Sequence, residues 1–547
     1  MDVSQAVIER LTANGIETMF GIPGKQTLPL NEAIGTRDDI RFVVARHETA
    51  VSHEAWGYAE TSGKVAATAV IPGPGDMNAM NGLKNALNDC TPIIHIAVET
   101  DPEIRGGDGI HETPPNTYDN VVKENLLVEH PESTIAVLEE AIATAETQPK
   151  GPVRIGIPKN FLKMDVPLAT PAEYSRKSVS DVADRDIEAA ADLLITADAP
   201  VIVAGGGVRA ANASDELRCV ADRLGAPVVT TYKGKGVLPD GDNGYVAGSL
   251  SGSASPELLD LLATADAALA VGTDFDAVTT RAWNVDVPET LVHVTLEPGD
   301  LGTGYEPTVG IVADAAAALS SLEDAFADRE VETNDAIDRA SAVRESTSGR
   351  LEDLRVSSPP ITSVSALETA RDAIPDDAIV AVDAGGFRVW GLNVFEATGP
   401  RSYVNPGSWA TMGTGLPSGI GAQLANPDDD VVVLSGDGGL MMCVHELHTA
   451  VAEGLPLTVV VFVNEDYAII SDDAGQNYGL SAGEYEWTNA PIDFTSLASS
   501  LGMRAEHAET PADLEEALAS AIDADEPVLL EVPTDPREPQ ASNWMSE

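Results

Sequence analysis

Two apolar, β-branched runs, Val431 to Ser435 and Leu457 to Val463, flank a stretch with helical spacing, and this unit restricts the fold more than any other part of the chain. The first run reads as a buried strand ending in the turn Gly436-Asp437-Gly438-Gly439. Leu440, Val444, Leu447 and Val451 then recur three and four residues apart, which predicts one continuous helix stopped by Gly454 and Pro456. The second run is another strand, and Asn464 follows it. Strand, helix and strand in this order require a right-handed crossover and a parallel pair, so Asp437 and Asn464 belong at the carboxyl edge of a sheet. A carboxylate and an amide oxygen beside glycine N–H groups at a helix N-terminus suit a magnesium ion that holds a diphosphate. The backbone carbonyl of Asp466 would supply a third oxygen. An ordinary strand-to-helix turn capped by Asp437 reads the same residues without a ligand.

The same alternation runs through three blocks of the 547 residues. Residues 1–170 show a helix from Val3 to Leu11 and short strands leading into Gly21-Ile22-Pro23-Gly24, His47-Glu48 and Pro72-Gly73-Pro74-Gly75. A strand from Ile93 to Val98 follows, then a loop at 99–116 too rich in Gly and Pro for a regular element, and a closing strand at 152–157. Residues 165–184 form a linker. The block 185–330 runs a strand into Gly205-Gly206-Gly207 and adds strands near 227–230, 267–271 and 291–295. A charged connector at 325–360 leads to the block 361–547. There a strand at 379–382 enters Asp383-Ala384-Gly385-Gly386, and a strand at 527–532 closes the sheet. The predicted fold is α/β, with three doubly wound parallel-sheet domains. The first and third blocks share order and length but no repeated sequence.

Charge excludes some partners. Lys and Arg number 32 against 88 Asp and Glu, for a formal net charge of −56, so nucleic acid and anionic membranes would be repelled. The acid is spread over every block, a composition that resembles haloarchaeal cytoplasmic proteins, whose surface repulsion is screened in concentrated salt. Three separated cysteines, an amphipathic charged N-terminus and no apolar stretch of membrane-spanning length point to a reduced cytoplasm.

The glycine-turn motifs together resemble the thiamin diphosphate (ThDP) enzymes, in the branch of acetolactate synthases and benzoylformate decarboxylases. The resemblance rests on Gly436-Asp437-Gly438 with Asn464, on His47-Glu48, on Gly73-Pro74-Gly75 with Asn78, on Gly21-Ile22-Pro23-Gly24, and on residues 411–425. It implies a pyrimidine-binding domain at 1–170, a middle domain at 185–330 and a diphosphate-binding domain at 361–547. It implies ThDP and Mg²⁺ as cofactors, the metal held by Asp437, Asn464 and Asp466. Gly24, Pro74, Asn78, Gly385, Gly386, Met412, Gly436, Gly438, Gly439 and Tyr467 would line the cofactor, Met412 as the wedge that keeps it bent. Glu48 would be the carboxyl group that activates the aminopyrimidine. The pyrimidine half and the diphosphate half of each site would come from different subunits of a homo-oligomer. Whether Gly205-Gly206-Gly207 holds FAD, as in acetolactate synthases, or binds nothing stays open.

Substrate choice is less constrained. Ile94 to Pro102 lacks the glycine-glutamine pair usual in acetolactate synthases, and 467–479 lacks their downstream tryptophan. The paired histidines of pyruvate decarboxylases are reduced here to His111, which reads either as a proton donor toward a 2-oxo acid or as an ordinary loop histidine. The leading expectation is decarboxylation of a 2-oxo acid followed by carboligation, as in acetolactate synthase, with a regulatory subunit left open. A decarboxylase that releases an aldehyde, and a ThDP-binding partner without activity, are the alternatives.

Overall fold

The computed structural model describes residues 1–106, 111–114, 116–167, 182–241, 244–327, 335–481 and 483–545. Parts of the expected loop at 99–116, linker at 165–184 and connector at 325–360 therefore lie outside the described residues.

Among the described residues, three six-stranded sheets, parallel throughout, organise the chain. The first contains β1 (Thr18–Gly21), β2 (Arg41–Val44), β3 (Ala66–Val70), β4 (Ile93–Glu99), β5 (Glu124–Leu127) and β6 (Val153–Pro158), in the order β2-β1-β3-β4-β6-β5. The second contains β7 (Pro200–Ala204), β8 (Val228–Thr230), β9 (Val246–Ser249), β10 (Ala267–Val271), β11 (Leu291–Thr295) and β12 (Val309–Val312), in the order β12-β11-β10-β7-β8-β9. The third contains β13 (Ile379–Val382), β14 (Tyr403–Val404), β15 (Val431–Gly436), β16 (Leu457–Val463), β17 (Arg504–His507) and β18 (Val528–Pro533), in the order β14-β13-β15-β16-β18-β17. Central strands are buried along their whole length, as expected of sheets covered on both faces.

The first and third sheets thus have one topology, although their sequences do not repeat. In both, the strand order reverses beside the first strand, which opens a crevice at the carboxyl ends of β1 and β3 and of β13 and β15. The second sheet reverses between β7 and β10.

The helix Glu48–Ser62 of the first block crosses the helix Gly415–Ala425 of the third, and one apolar cluster runs through both. The approach is close: a Cβ on Gly421 would stand 1.9 Å from the Glu54 carbonyl oxygen, and one on Gly57 would stand 2.2 Å from that of Ser418. Two blocks distant in sequence therefore share a core.

One expected element is different. The segment after Gly436 is not a continuous helix but two, Asp437–Cys443 and Leu447–Glu453, separated by a 3₁₀ turn at Val444–Glu446. Cys443 leaves helical geometry at φ −135°, and the turn swings Glu446 onto the backbone N–H groups of Arg46 and His47. The break thus gives the Glu446 side chain hydrogen bonds to another block. No helix among the described residues is long and apolar enough to cross a membrane.

Candidate active site

The turns after β13 and β15 meet around a carboxylate that sequence reasoning passed over. Asp383 is fully buried and follows β13 directly. Its Oδ1 accepts the N–H groups of Ala384 at 2.7 Å, Gly413 at 2.9 Å and Thr414 at 3.2 Å, and its Oδ2 accepts the Ser435 hydroxyl at 3.0 Å. One side chain thus ties the Gly385-Gly386 turn, the Met412 loop and the end of β15 together. Burial pushes its pKa up to about 6 against these bonds. The only sequence signal was an acid immediately after a buried strand.

Asp437 occupies the corresponding place after β15. Its Oδ2 accepts the N–H groups of Asn464 at 3.1 Å and Glu465 at 2.7 Å, which closes the turn after β16 around it. The Asn464 Oδ1 in turn accepts the Asp466 N–H at 3.2 Å. Asp437, Asn464 and Asp466, expected from the sequence to share one sheet edge, do so because β15 and β16 pair in register from Val431 and Leu457 onward. Asp437 is buried, and burial raises its pKa to about 6. Among the described residues it forms no ion pair with Lys or Arg, and no group of three His, Cys, Asp or Glu side chains is arranged to hold a metal. An almost desolvated carboxylate beside an amide oxygen, without a cationic partner, fits a hard divalent ion whose remaining ligands are backbone oxygen, phosphate and water.

The floor of this turn is glycine by necessity. A Cβ on Gly438 would lie 2.7 Å from the Tyr467 ring and 3.4 Å from the Met412 Cε, so Met412 and Tyr467 stand directly over the turn. Tyr467 is held edge-on by Trp487, with ring centroids 5.2 Å apart. Gly385 and Gly386 open the neighbouring helix Gly386–Val394 at the same sheet edge.

The other candidates gather on the first sheet. Glu48 begins the helix Glu48–Ser62 and accepts the Asn78 side-chain amide at 3.1 Å, while the Thr49 hydroxyl donates to the Asn78 carbonyl at 2.8 Å. Pro74 starts the short helix Pro74–Asn78 after β3. Gly24, in the turn after β1, packs against Ile71. His111 rests on the same turn: its Cα is 2.8 Å from where a Gly73 Cβ would be, and its carbonyl accepts the Thr100 hydroxyl. Below it, the Thr113 hydroxyl accepts the Gly73 N–H at 2.9 Å and donates to Asp76 at 2.6 Å. Asp76 is fully buried and also binds His95, Tyr118 and Arg154, a network that anchors the loop to β4 and β6. Among the described residues no hydrogen bond joins Glu48 or Asn78 to the Asp437 turn.

A cavity of about 320 Å³ opens at the reversal point of the second sheet and reaches the loop at 407–410. Gly206 and Gly207 after β7, Gly272 after β10 and Glu297 and Asp300 after β11 line it, with Lys233 and Arg388 at the wall. No acid lies about twenty residues beyond the glycine turn, where the sequence would place a ribose ligand. Strand order brings Glu297 and Asp300 to this cavity from a strand two places from β7.

Comparison with known proteins agrees with this arrangement. Family profiles described as thiamine pyrophosphate enzyme match in chain order: the N-terminal TPP binding domain at residues 1–121, the central domain at 187–322 and the C-terminal TPP binding domain at 383–532. The chain is 29% identical to a probable acetolactate synthase large subunit of Methanococcus aeolicus, across 98% of this chain and 92% of that protein. It is likewise 29% identical to the acetolactate synthase isozyme 2 large subunit of Escherichia coli K12, across 98% and 96%. The Lactococcus lactis acetolactate synthase large subunit gives 29% across 97% and 92%. Three matching domains in order, over sheets whose glycine turns converge as described, place the chain in the thiamine pyrophosphate enzyme family.

Proposed function

We propose that the protein decarboxylates a 2-oxo acid and joins the remaining fragment to a second carbonyl, as an acetolactate synthase does with pyruvate. The observation that carries this reading is the near-complete coverage of the chain by relatives named acetolactate synthase large subunits. Both half-sites support it chemically. Bound ThDP supplies the electron sink for cleavage beside the carboxylate. Asp437, Asn464 and the Asp466 carbonyl would hold Mg²⁺, and Gly385, Gly386, Gly436, Gly438 and Gly439 would present N–H groups to the diphosphate. Met412 and Tyr467 would shape the ring site from above. Glu48, held by Asn78, would exchange a proton with the pyrimidine nitrogen, and Gly24, Pro74 and His111 would border that ring and the substrate.

A twofold partner would complete each site, bringing Glu48 of one subunit to Asp437 of the other. Exposed apolar side chains support such an interface. Met441, Met442, Ile469 and Ile470 flank the Asp437 and Asn464 turns, and Met77 adjoins Asn78, each at least 40% exposed in the single chain. The relatives' designation as large subunits supports a small regulatory subunit here too. We assign 1–170, 185–330 and 361–547 as the functional domains. The three free cysteines support a cytoplasmic setting. The middle-domain cavity is suited to a nucleotide, with the glycine N–H groups toward phosphate and Glu297 toward ribose hydroxyls. Flavin absorbance in the purified protein, with FAD found by mass spectrometry of the released nucleotide, would identify it as FAD.

Turnover on pyruvate and larger 2-oxo acids in concentrated KCl, with ThDP and Mg²⁺ and products identified by mass spectrometry, tests the assignment. A 2-hydroxy-2-methyl-3-oxo acid from pyruvate is expected. Aldehyde and CO₂ without any 2-hydroxy ketone would overturn carboligation.

A further inference from the structure

The break in the helix after Asp437 delivers a buried carboxylate to the other half-site of the same chain. Glu446 is fully buried in the 3₁₀ turn of the third block. Its Oε1 accepts the N–H groups of Arg46 at 2.9 Å and His47 at 3.0 Å, the two residues immediately before Glu48. Its Oε2 accepts the Thr449 hydroxyl and, at 3.2 Å, a second contact from the Arg46 N–H. Arg46 is fixed further by its guanidinium, which reaches His448 at 2.7 Å and the Val44 carbonyl. The His445 imidazole stands 3.3 Å from Glu446, with its ring centroid 5.8 Å from that of His47.

From the first block, Glu54 faces this carboxylate. It is fully buried one helical segment after Glu48, and it takes no hydrogen bond from any basic group. Burial, then the nearby Glu446 and Glu453, push its pKa well above the ordinary carboxylate range. The start of the helix that carries Glu48 is therefore tied through the Glu446 side chain to the element that follows the Asp437 turn.

We propose that Glu446 is a positioning residue: its carboxylate grips the Arg46 and His47 N–H groups and thereby sets the direction in which Glu48 leaves the helix. The inference rests on the reading of Glu48 as the group that activates the cofactor. It couples the two half-sites within each chain, in addition to any coupling across a subunit interface.

Two measurements on Glu446→Ala and Glu446→Gln test it. In the cofactor-free protein, backbone amide exchange at residues 46–50 is expected to speed up by about tenfold or more in the Ala variant, with the strand Leu457–Val463 still protected. The Gln variant keeps Oε1 as acceptor and should retain protection. In the loaded enzyme, deuterium exchange at the reactive carbon of ThDP should slow by about tenfold or more in the Ala variant, be rescued by Gln, and leave ThDP affinity within a few-fold of wild type. Unchanged protection at 46–50, or lost protection with normal carbon exchange, would overturn the proposal. Should the Ala variant not fold, Glu446→Asp keeps the charge but falls short of the N–H groups, and the same losses are expected. Glu48→Gln is the control for the underlying reading. If it leaves carbon exchange at the wild-type rate, the role of Glu48 fails. If it slows exchange while Glu446→Ala does not, only the positioning role fails.

Discussion

Glu538 shows how a single carboxyl group can tie a terminal segment to a domain and make stability depend on pH. Its Oε2 accepts the Ser363 N–H at 2.6 Å, which joins the tail after β18 to the first residue of the helix Ser363–Ala373. Burial pushes its pKa up to about 7 from an ordinary 4.5, against the lowering effect of those bonds. The folded state therefore holds a proton that the unfolded chain releases earlier. The resulting stability is complete below about pH 4.5 and is lost as pH rises through about 7, by up to ~3 kcal/mol. Urea unfolding at fixed salt should show this decline, and Glu538→Gln should flatten it. The candidate ligands Asp437 and Asn464 were readable because each ends an unbroken apolar strand. Asp383 was not singled out, because three of its four partners, Gly413, Thr414 and Ser435, lie 30 or more positions away.

At the level of elements, fully buried strands announced themselves in sequence, and most edge strands, β2 excepted, did not. β10, β11, β13 and β16 have the expected limits, since two covered faces demand continuous apolar runs. β5, β12 and β17 sit at sheet edges with partly exposed side chains, and β14, though buried, is only two residues long, so none gives such a run. The crossing of Glu48–Ser62 with Gly415–Ala425 was equally hidden, because neither helix has a strongly one-sided apolar pattern and both are buried almost all round. Gly421→Ala should cost about 1–3 kcal/mol, since its new methyl group meets backbone and cannot be relieved by a rotamer change. A lowered denaturant midpoint with unchanged slope would be the signature.

Across the whole molecule, a buried ionic cluster joins all three blocks. Lys233 of the middle block binds Glu60 at 2.9 Å and Asp89 at 3.1 Å, Arg209 binds Glu60 at 3.0 Å, and Lys233 also donates to the Asn405 carbonyl at 3.3 Å. Burial would raise Glu60, but Lys233 and Arg209 hold it well below the usual carboxylate range. Lys233→Ala leaves Asp89 buried without its cation and should destabilise the protein by about 3–5 kcal/mol, readable as a loss of cooperative unfolding between the middle block and the rest. The surface imposes a different dependence. With a net charge of −56, lowering KCl from about 1 M to about 0.1 M lengthens screening from ~3 to ~10 Å, and the folded state should lose stability. A melting temperature that stays constant across that range would contradict the halophilic reading.

The sequence alone determined the α/β class, the three-block order, the glycine turns at the strand ends and the family resemblance. All of these follow from local rules: strand and helix periodicity, turn chemistry, and short motifs whose geometry needs only neighbouring residues. Tertiary structure alone decided that Asp383 is the hub of the turns after β13 and β15 and that Glu297 and Asp300 reach the middle cavity. It also decided that the helix after Asp437 breaks to send Glu446 to the backbone before Glu48. Each of these depends on which strands become neighbours and how closely two helices approach, and hydrogen bonds between distant segments leave no period in the chain that makes them.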